Sequence, residues 1–363
     1  MLIVDAHLDL AYNATRGRDP RMPAKDQPVV ENEIATVGLP DLRAGNVGLV
    51  CATIFCEPKG PHGGYTTAEE ARQQALTQLA WYRSCADEGL IRFAVTPLDL
   101  PDDVMSGTGF QPVSVAPNDE PHDLQYSSHG LKARATATPL SALLLLEGAD
   151  AIRTPDDLPE WHAAGLRIVG LAWKRTSFAG GTGAPGPLTA EGRELVKALD
   201  QFKIIHDTSH LAEESFWNLM DLTQGPVIAS HSNCRAIVGE GDRHLTDEMI
   251  REIAKRNGVI GINFFDRFLL PKDQYGKRRA TLHDVIAHIK HICDLTGSAR
   301  HVAIGTDMDG GLGREQIPME IRTSADLPRV AGVLEESGFC GEDIERIMSA
   351  NWLNLLCAAL QAA

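Results

Sequence analysis

The sequence has no apolar run that could cross a bilayer. Its longest, such as Leu143–Leu146, fall far short of the roughly 20 residues a membrane helix requires. No charged n-region or apolar core precedes Leu2-Ile3-Val4-Asp5-Ala6-His7, so no secretory signal is expected. No CxxC pair occurs among the seven cysteines, which are scattered and odd in number. Cys51 and Cys56 flank the end of a predicted strand at a spacing that does not suit a zinc ribbon. Free thiols of a reducing compartment, and hence a cytoplasmic enzyme, are the expectation. Positive charge is scarce: 34 Lys and Arg stand against 49 Asp and Glu, a net charge of −15. Neither nucleic acid nor an anionic membrane is expected as a partner. The stretch Gly180-Gly181-Thr182-Gly183-Ala184-Pro185-Gly186 has no Gly-Lys-Ser/Thr ending, so it reads as a flexible loop and not as a phosphate-binding loop.

What is present is an alternation of apolar β-type runs and helical patterns over 363 residues, 43% of them hydrophobic and 23% charged. That pattern predicts a parallel sheet wrapped by helices. Eight runs suit buried parallel strands: Leu2–His7, Gly48–Phe55, Ala142–Glu147, Arg167–Trp173, Lys203–Ser209, Pro226–His231, Gly258–Phe264 and His301–Asp307. Ile91–Val95 suits an additional strand outside them. Helices are predicted from a Thr67/Glu70 capping box to Gly89, from Thr189 to Phe202, from Thr246 to Gly258, and over Leu282–Leu295 and Asp343–Leu356. The expected fold is α/β, a (β/α)8 barrel forming a single domain over 1–363. Residues 102–139 are polar, rich in Pro, Ser and Gly, and without a period, which predicts an insertion or a lid.

The ionisable residues fall where such a barrel does its chemistry. His7, Glu147, His210, His231 and Asp307 each end a different predicted strand, and in a barrel those ends share one face. His7 and Asp9 are two apart, so an extended chain offers one nitrogen and one oxygen to a single ion. His210 and His231 end neighbouring strands, and two imidazoles suit Zn²⁺ better than Mg²⁺ or Ca²⁺. Glu147 follows four leucines, where a buried carboxylate needs a neutralising charge; a place between two cations would supply it. Asp307, at the end of another apolar run, is expected to hold the activated water and pass its proton to the leaving amine.

Asp5-Ala6-His7-Leu8-Asp9, Glu147-Gly148, Asp207-Thr208-Ser209-His210, Ser230-His231-Ser232 and Gly305-Thr306-Asp307-Met308-Asp309-Gly310 together resemble the membrane (renal) dipeptidase family, peptidase M19, of the amidohydrolase superfamily. The resemblance runs in order from residue 5 to about 310, and Asn351 suits the family's C-terminal pattern. It implies a zinc metallopeptidase with two Zn²⁺ per chain: one on His7 and Asp9, one on His210 and His231, with Glu147 bridging. It implies Asp307 as proton carrier and Arg243 as receiver of the substrate's terminal carboxylate, for which a bidentate fork is suited. It also implies tolerance of a D-residue at the C-terminal position. One position departs: Trp173 stands where the family has a substrate-binding histidine. An indole N–H donates one hydrogen bond but moves no proton, so Trp173 is expected in the substrate site.

The leading expectation is hydrolysis of dipeptides. A related amidohydrolase acting on an N-acyl amino acid or another small amide is the alternative, and a non-catalytic metal-binding barrel is a second. A homodimer is among the assemblies the sequence allows. Structural roles are expected elsewhere: Asp5 and Asp207 orienting ligands, Asp309 capping a turn with Gly310 and Gly311, and His206 in the core. His62, His122, His129, His162, His244, His283, His288, His291 and His301 read as surface or helix residues, with His129 the one whose segment could reach the site.

Overall fold

The computed structural model describes residues 1–60, 64–101, 139–239 and 241–361. Nine parallel strands run through it: β1 (Ile3–Leu8), β2 (Val47–Phe55), β3 (Ile91–Phe93), β4 (Leu140–Glu147), β5 (Leu166–Gly170), β6 (Ile205–Asp207), β7 (Val227–Ile228), β8 (Ile260–Ile262) and β9 (Val302–Ile304). Pairing follows β1-β2-β4-β5-β6-β7, with β8 on β9. A bridge from Ala229 to Ile260 joins β7 to β8. The Asp307 N–H donates to the His7 carbonyl at 3.2 Å and brings the last strand back to the first. This is the (β/α)8 barrel expected, every predicted strand being present and several trimmed at their ends. The additional strand β3 pairs only with the first residues of β4, Ile91 opposite Leu140 and Phe93 opposite Ala142.

Alternation along the strands sorts the apolar residues. Val4, Ala6, Leu49, Cys51, Leu143, Leu145, Ile168, Ile205 and Ile228 pack together inside the barrel. Ile3, Val50, Ala52, Leu144, Leu146 and Val169 pack outward under the helices. Strict alternation would send His7 outward with Ile3. Between Asp5 and Leu8, however, β1 carries one residue more than β2, since Asp5 pairs with Val50 and Leu8 with Ala52. That irregularity puts Leu8 in the outer layer and turns His7 inward.

The caps behave as read: Glu70 N–H donates to Thr67 Oγ1 at 3.2 Å, and Met249 N–H to Thr246 Oγ1 at 3.2 Å. The C-terminal helix differs. An α-turn over Gly341–Glu345 widens into a π segment, Arg346–Ala350, before Asn351–Gln361 resumes α geometry. The extra residue shifts the helix phase, so that Trp352 Nε1 donates to the Ile304 carbonyl at 2.8 Å and Asn351 Nδ2 to that of Val302 at 2.8 Å. Trp352, Leu353 and Leu356 thereby join the barrel interior.

Two other expectations change. The glycine-rich stretch is a bridged turn, Gly181 pairing with Ala184 and Leu211. A Cβ on Gly181 would lie 2.4 Å from the Lys174 carbonyl oxygen, so close approach explains the glycine. His244, read as a surface or helix residue, is neither, being buried in a connection at 6% exposed, while His288 lies on a helix as read, on its buried face. The predicted insertion or lid at 102–139, apart from Pro139, lies outside the described residues, as do His62, His122 and His129. Its described flanks lie at the N-terminal ends of the strands: Pro101 beside Gly48 and Leu2, Pro139 just before β4. Among the described residues no helix is long and apolar enough to cross a membrane.

Candidate metal centre

The C-terminal ends of the strands deliver the predicted residues to one cavity. Glu147 is the last residue of β4, and Gly148 at φ 80° turns the chain away behind it. His210 follows β6 at φ 65° and Asp307 follows β9 at φ 59°. A left-handed backbone costs a side-chain-bearing residue about 1–3 kcal/mol and persists where surroundings impose it, often at functional sites. His7, Asp9, Glu147, His210, His231 and Asp307 are all buried.

Glu147 sits between two sets of candidate ligands. Its Oε1 is 3.2 Å from His210 Nε2 and 3.3 Å from His231 Nε2, while its Oε2 is 3.7 Å from His7 Nε2. His7 Nε2 is also 3.7 Å from Asp9 Oδ2 and 4.0 Å from Asp307 Oδ1. Bonds of ~2.0–2.2 Å to a tetrahedral ion put its ligand atoms ~3.3–3.5 Å apart, a spacing these separations bracket. His7, Glu147 and His231 form one group with metal-ligand spacing, and His7, Asp9 and Asp307 another. His7 Nε2 and Asp9 Oδ1 are buried polar atoms without a hydrogen-bond partner, which is the state of a ligand atom whose partner is a cation.

Hydrogen bonds behind the cluster aim the imidazoles. His231 Nδ1 meets Ser230 Oγ at 2.7 Å, and that hydroxyl donates to Asp207 Oδ2 at 2.5 Å. His210 Nδ1 meets Thr182 Oγ1 at 3.1 Å. With the protons on Nδ1, both Nε2 lone pairs face the cluster, 3.0 Å apart. Asp5 accepts from Thr306 N–H at 2.8 Å and Oγ1 at 2.6 Å, locking β1 to β9. His206, by contrast, is in the core and pairs with Asp200 at 2.7 Å.

The electrostatics of the bare cluster call for cations. Burial pushes Asp9 well above the usual carboxylate range and Asp307 up to about 7, with Glu147 adding repulsion to both. Burial alone would lower His7, but Glu147 foremost, then Asp9 and Asp307, hold it up at about 10. Burial drives His210 and His231 well below the ordinary imidazole value, with Arg243 and His7 adding to it.

The cavity beside the cluster encloses about 350 Å³ and takes in Arg243 and Trp173 as well. Arg243 is buried; it donates to the His231 carbonyl at 2.7 Å and to Ser232 Oγ at 3.1 Å, and its guanidinium lies 5.1 Å over the Phe268 ring. Trp173 is half-buried, 6.1 Å from the His210 ring, with Lys174 Nζ 4.8 Å above it. Arg175 turns away to the Pro185 carbonyl.

Sequence reasoning passed over three residues here. Asn263 follows β8 and donates from Nδ2 to Asp307 Oδ2 at 2.8 Å; the strand-end rule that found Asp307 also reaches it. Ser230 and Thr182 orient ligands, and no local pattern marks Thr182. Asp309 does not cap a turn with Gly310 and Gly311. It accepts from Thr36 N–H at 2.9 Å, Thr36 Oγ1 at 2.7 Å and Val37 N–H at 2.9 Å, because the chain after β9 folds against the loop that precedes β2.

The family model for membrane dipeptidase (peptidase family M19) matches residues 113–363. An uncharacterized protein of Klebsiella pneumoniae is 33% identical over 211 residues, 55% of this chain and 74% of that protein. A dipeptidase of Claviceps purpurea is 28% identical over 204 residues, 54% of this chain and 45% of its own length. The chain thus spans about half the length of several curated relatives it matches. Among solved structures, a metallopeptidase named dipeptidase AC, of family M19, is 25% identical, with a TM-score of 0.75 and 98% of both chains covered. A Rhodobacter sphaeroides metallopeptidase, liganded with a phosphinate mimic of L-Ala-D-Ala, has the same fold at 24% identity, TM-score 0.75 and 98% coverage of both chains. The chain belongs to the membrane dipeptidase family, peptidase family M19, a family of metallo-dipeptidases built on this barrel.

Proposed function

We propose that this protein is a single-domain zinc dipeptidase, with two ions per chain and dipeptides carrying an L- or D-residue at the C-terminal position as substrates. Its supporting observation is the division of Glu147, one oxygen toward His210 and His231 and the other toward His7. His7 and Asp9 would hold one ion and His210 and His231 the other, with Glu147 placed to serve both. When bound, the ions supply Lewis acidity to the scissile carbonyl and activate the attacking water. Asp307 takes the water's proton and delivers it to the leaving amine. Arg243 receives the terminal carboxylate, and Trp173 lines the cavity where the family resemblance implies a histidine. Tolerance of a D-residue is in keeping with the L-Ala-D-Ala mimic held by the Rhodobacter sphaeroides metallopeptidase.

Trp173 favours one second reading, hydrolysis of an N-acyl amino acid or another small amide, because it removes a charged donor from the site. Turnover of L,L- and L,D-dipeptides beside N-acyl amino acids, with metal content measured on the same sample, separates the two. Two zinc per chain with dipeptide turnover is expected; zinc-loaded protein that cleaves only N-acyl amino acids would reject the dipeptidase reading.

A further inference from the structure

The cavity beside the metal cluster has two unlike sides. On one, the Tyr12 and Phe55 rings meet edge to face at 5.1 Å, and Phe55 meets Trp173 at 5.1 Å. Trp173 in turn lies 6.1 Å from His210. These three rings form a continuous aromatic strip that begins at the metal cluster and runs outward along the cavity wall. On the other side, Phe265 and Phe268 meet edge to face at 4.9 Å, and the Arg243 guanidinium covers Phe268.

The ring of strands places the two sides opposite each other. Phe55 ends β2, and Arg243 lies in the connection after β7. In the order β1-β2-β4-β5-β6-β7-β8-β9 those strands are diametrically placed. A dipeptide with its carboxylate on Arg243 and its scissile carbonyl at Glu147 therefore sends its N-terminal residue along Trp173, Phe55 and Tyr12.

The charges around the strip offset one another. Arg16 lies 5.4 Å over Tyr12 and is ion-paired to Glu31. Glu33 is 3.4 Å from Arg18. The Tyr12 hydroxyl donates to Glu57 at 2.9 Å, and Lys174 covers Trp173 at the other end. Between these paired groups the rings of Tyr12, Phe55 and Trp173 offer a side chain aromatic carbon. Such a surface gains from burying apolar area and from edge-to-face contact with another ring.

We infer that the Tyr12–Phe55–Trp173 strip is the subsite for the side chain of the substrate's N-terminal residue, and that it selects large apolar residues, aromatic ones first. This inference rests on the dipeptidase reading and adds a substrate class to it. The family histidine would place a charged, shorter side chain at the head of the strip; Trp173 extends the aromatic surface to the metal ligands instead.

The test uses the full, metal-loaded chain and a dipeptide series X-Ala with X as Gly, Leu, Phe, Lys and Asp. Phe-Ala is expected to exceed Gly-Ala by about 10-fold or more in kcat/KM, with Lys-Ala and Asp-Ala near Gly-Ala. Trp173→Ala and Phe55→Leu are expected to reduce the Phe/Gly ratio several-fold. Because each ratio is taken within one preparation, a loss of folded enzyme cancels from it. Equal turnover of Gly-Ala and Phe-Ala, a preference for Lys-Ala or Asp-Ala, or an unchanged ratio in both variants overturns the inference alone. Failure to cleave any of the five dipeptides with metal bound overturns the dipeptidase reading, and this subsite with it.

Discussion

Asn263 and Asp307 are joined by a buried hydrogen bond, the amide Nδ2 donating to Oδ2 at 2.8 Å. The amide is itself held, since Asn263 Oδ1 accepts from Phe265 N–H at 2.7 Å and Asn233 Oδ1 accepts the Asn263 N–H at 2.9 Å. One carboxylate oxygen is thus tied back, and the other, Oδ1, faces His7 Nε2 at 4.0 Å. Asn263→Ala is expected to lower kcat about 10-fold or more with KM and metal content little changed, because only Asp307, the proposed proton carrier, loses its orientation. Steady-state kinetics with metal analysis checks this; a change confined to KM would contradict it.

Gly310 provides a sterically sharper version of the same point. A Cβ there would lie 2.0 Å from Asp307 Oδ1. Gly310→Ala must displace that carboxylate, so kcat is expected to fall by about 10²-fold while the thermal midpoint of the metal-loaded protein moves little. Parallel melting and rate measurements decide it.

Removing the Glu147 charge tests the metal centre directly. Glu147→Gln leaves a side chain of the same shape but takes away the anion that faces both ligand sets. Fewer than two zinc per chain after zinc-replete purification, with activity lost, is the expected outcome of elemental analysis. Chelation of the wild-type protein is expected to lower its melting temperature, since the buried Asp9, Glu147 and Asp307 then have only the His7 imidazolium among them as counter-charge.

Arg243→Lys keeps the positive charge and loses the fork. The expected result is a KM raised by about 10-fold or more with a smaller change in kcat, because terminal-carboxylate binding is made in both ground and transition states. Arg243→Ala is the harsher variant, since Arg243 also donates to the His231 carbonyl at 2.7 Å. It is expected to lose zinc as well.

His288 sets an acid limit to stability away from the site. Its Nδ1 accepts from Cys234 N–H and its Nε2 donates to the Leu269 carbonyl, each at 3.1 Å, which only the neutral ring can do. Burial lowers its pKa from 6.5 to about 4, the Leu269 bond opposing. A histidine lowered on folding leaves stability intact above its unfolded value and withdraws it as pH falls toward the folded one. About 3 kcal/mol is therefore expected to be lost between pH 6.5 and pH 4. Urea titrations across that window, compared with His288→Gln, check it; the variant should show the shallower loss.

Much of the architecture was legible in one dimension. Strands such as Ala142–Glu147 are apolar on both faces, which a parallel barrel strand must be, and several of them stop at or just before an ionisable residue. Burial of a charged group at a strand end is costly enough to stand out in any reading. The C-terminal helix was legible only as a continuous pattern, because a π segment changes phase without changing composition.

The sequence by itself determined the barrel, the types of residue gathered at its strand ends and the family, since these rest on local apolar period and on short motifs that each strand carries alone. Tertiary structure decided which way those side chains point. The extra residue in β1 turns His7 inward, Thr182 reaches His210 across a bridged turn, and Asn263 holds Asp307 from a neighbouring strand. It also decided that Trp173 heads an aromatic wall with Phe55 and Tyr12, residues far apart in the chain. Contacts of that kind depend on which strands become neighbours, and the pattern along any one segment does not contain that information.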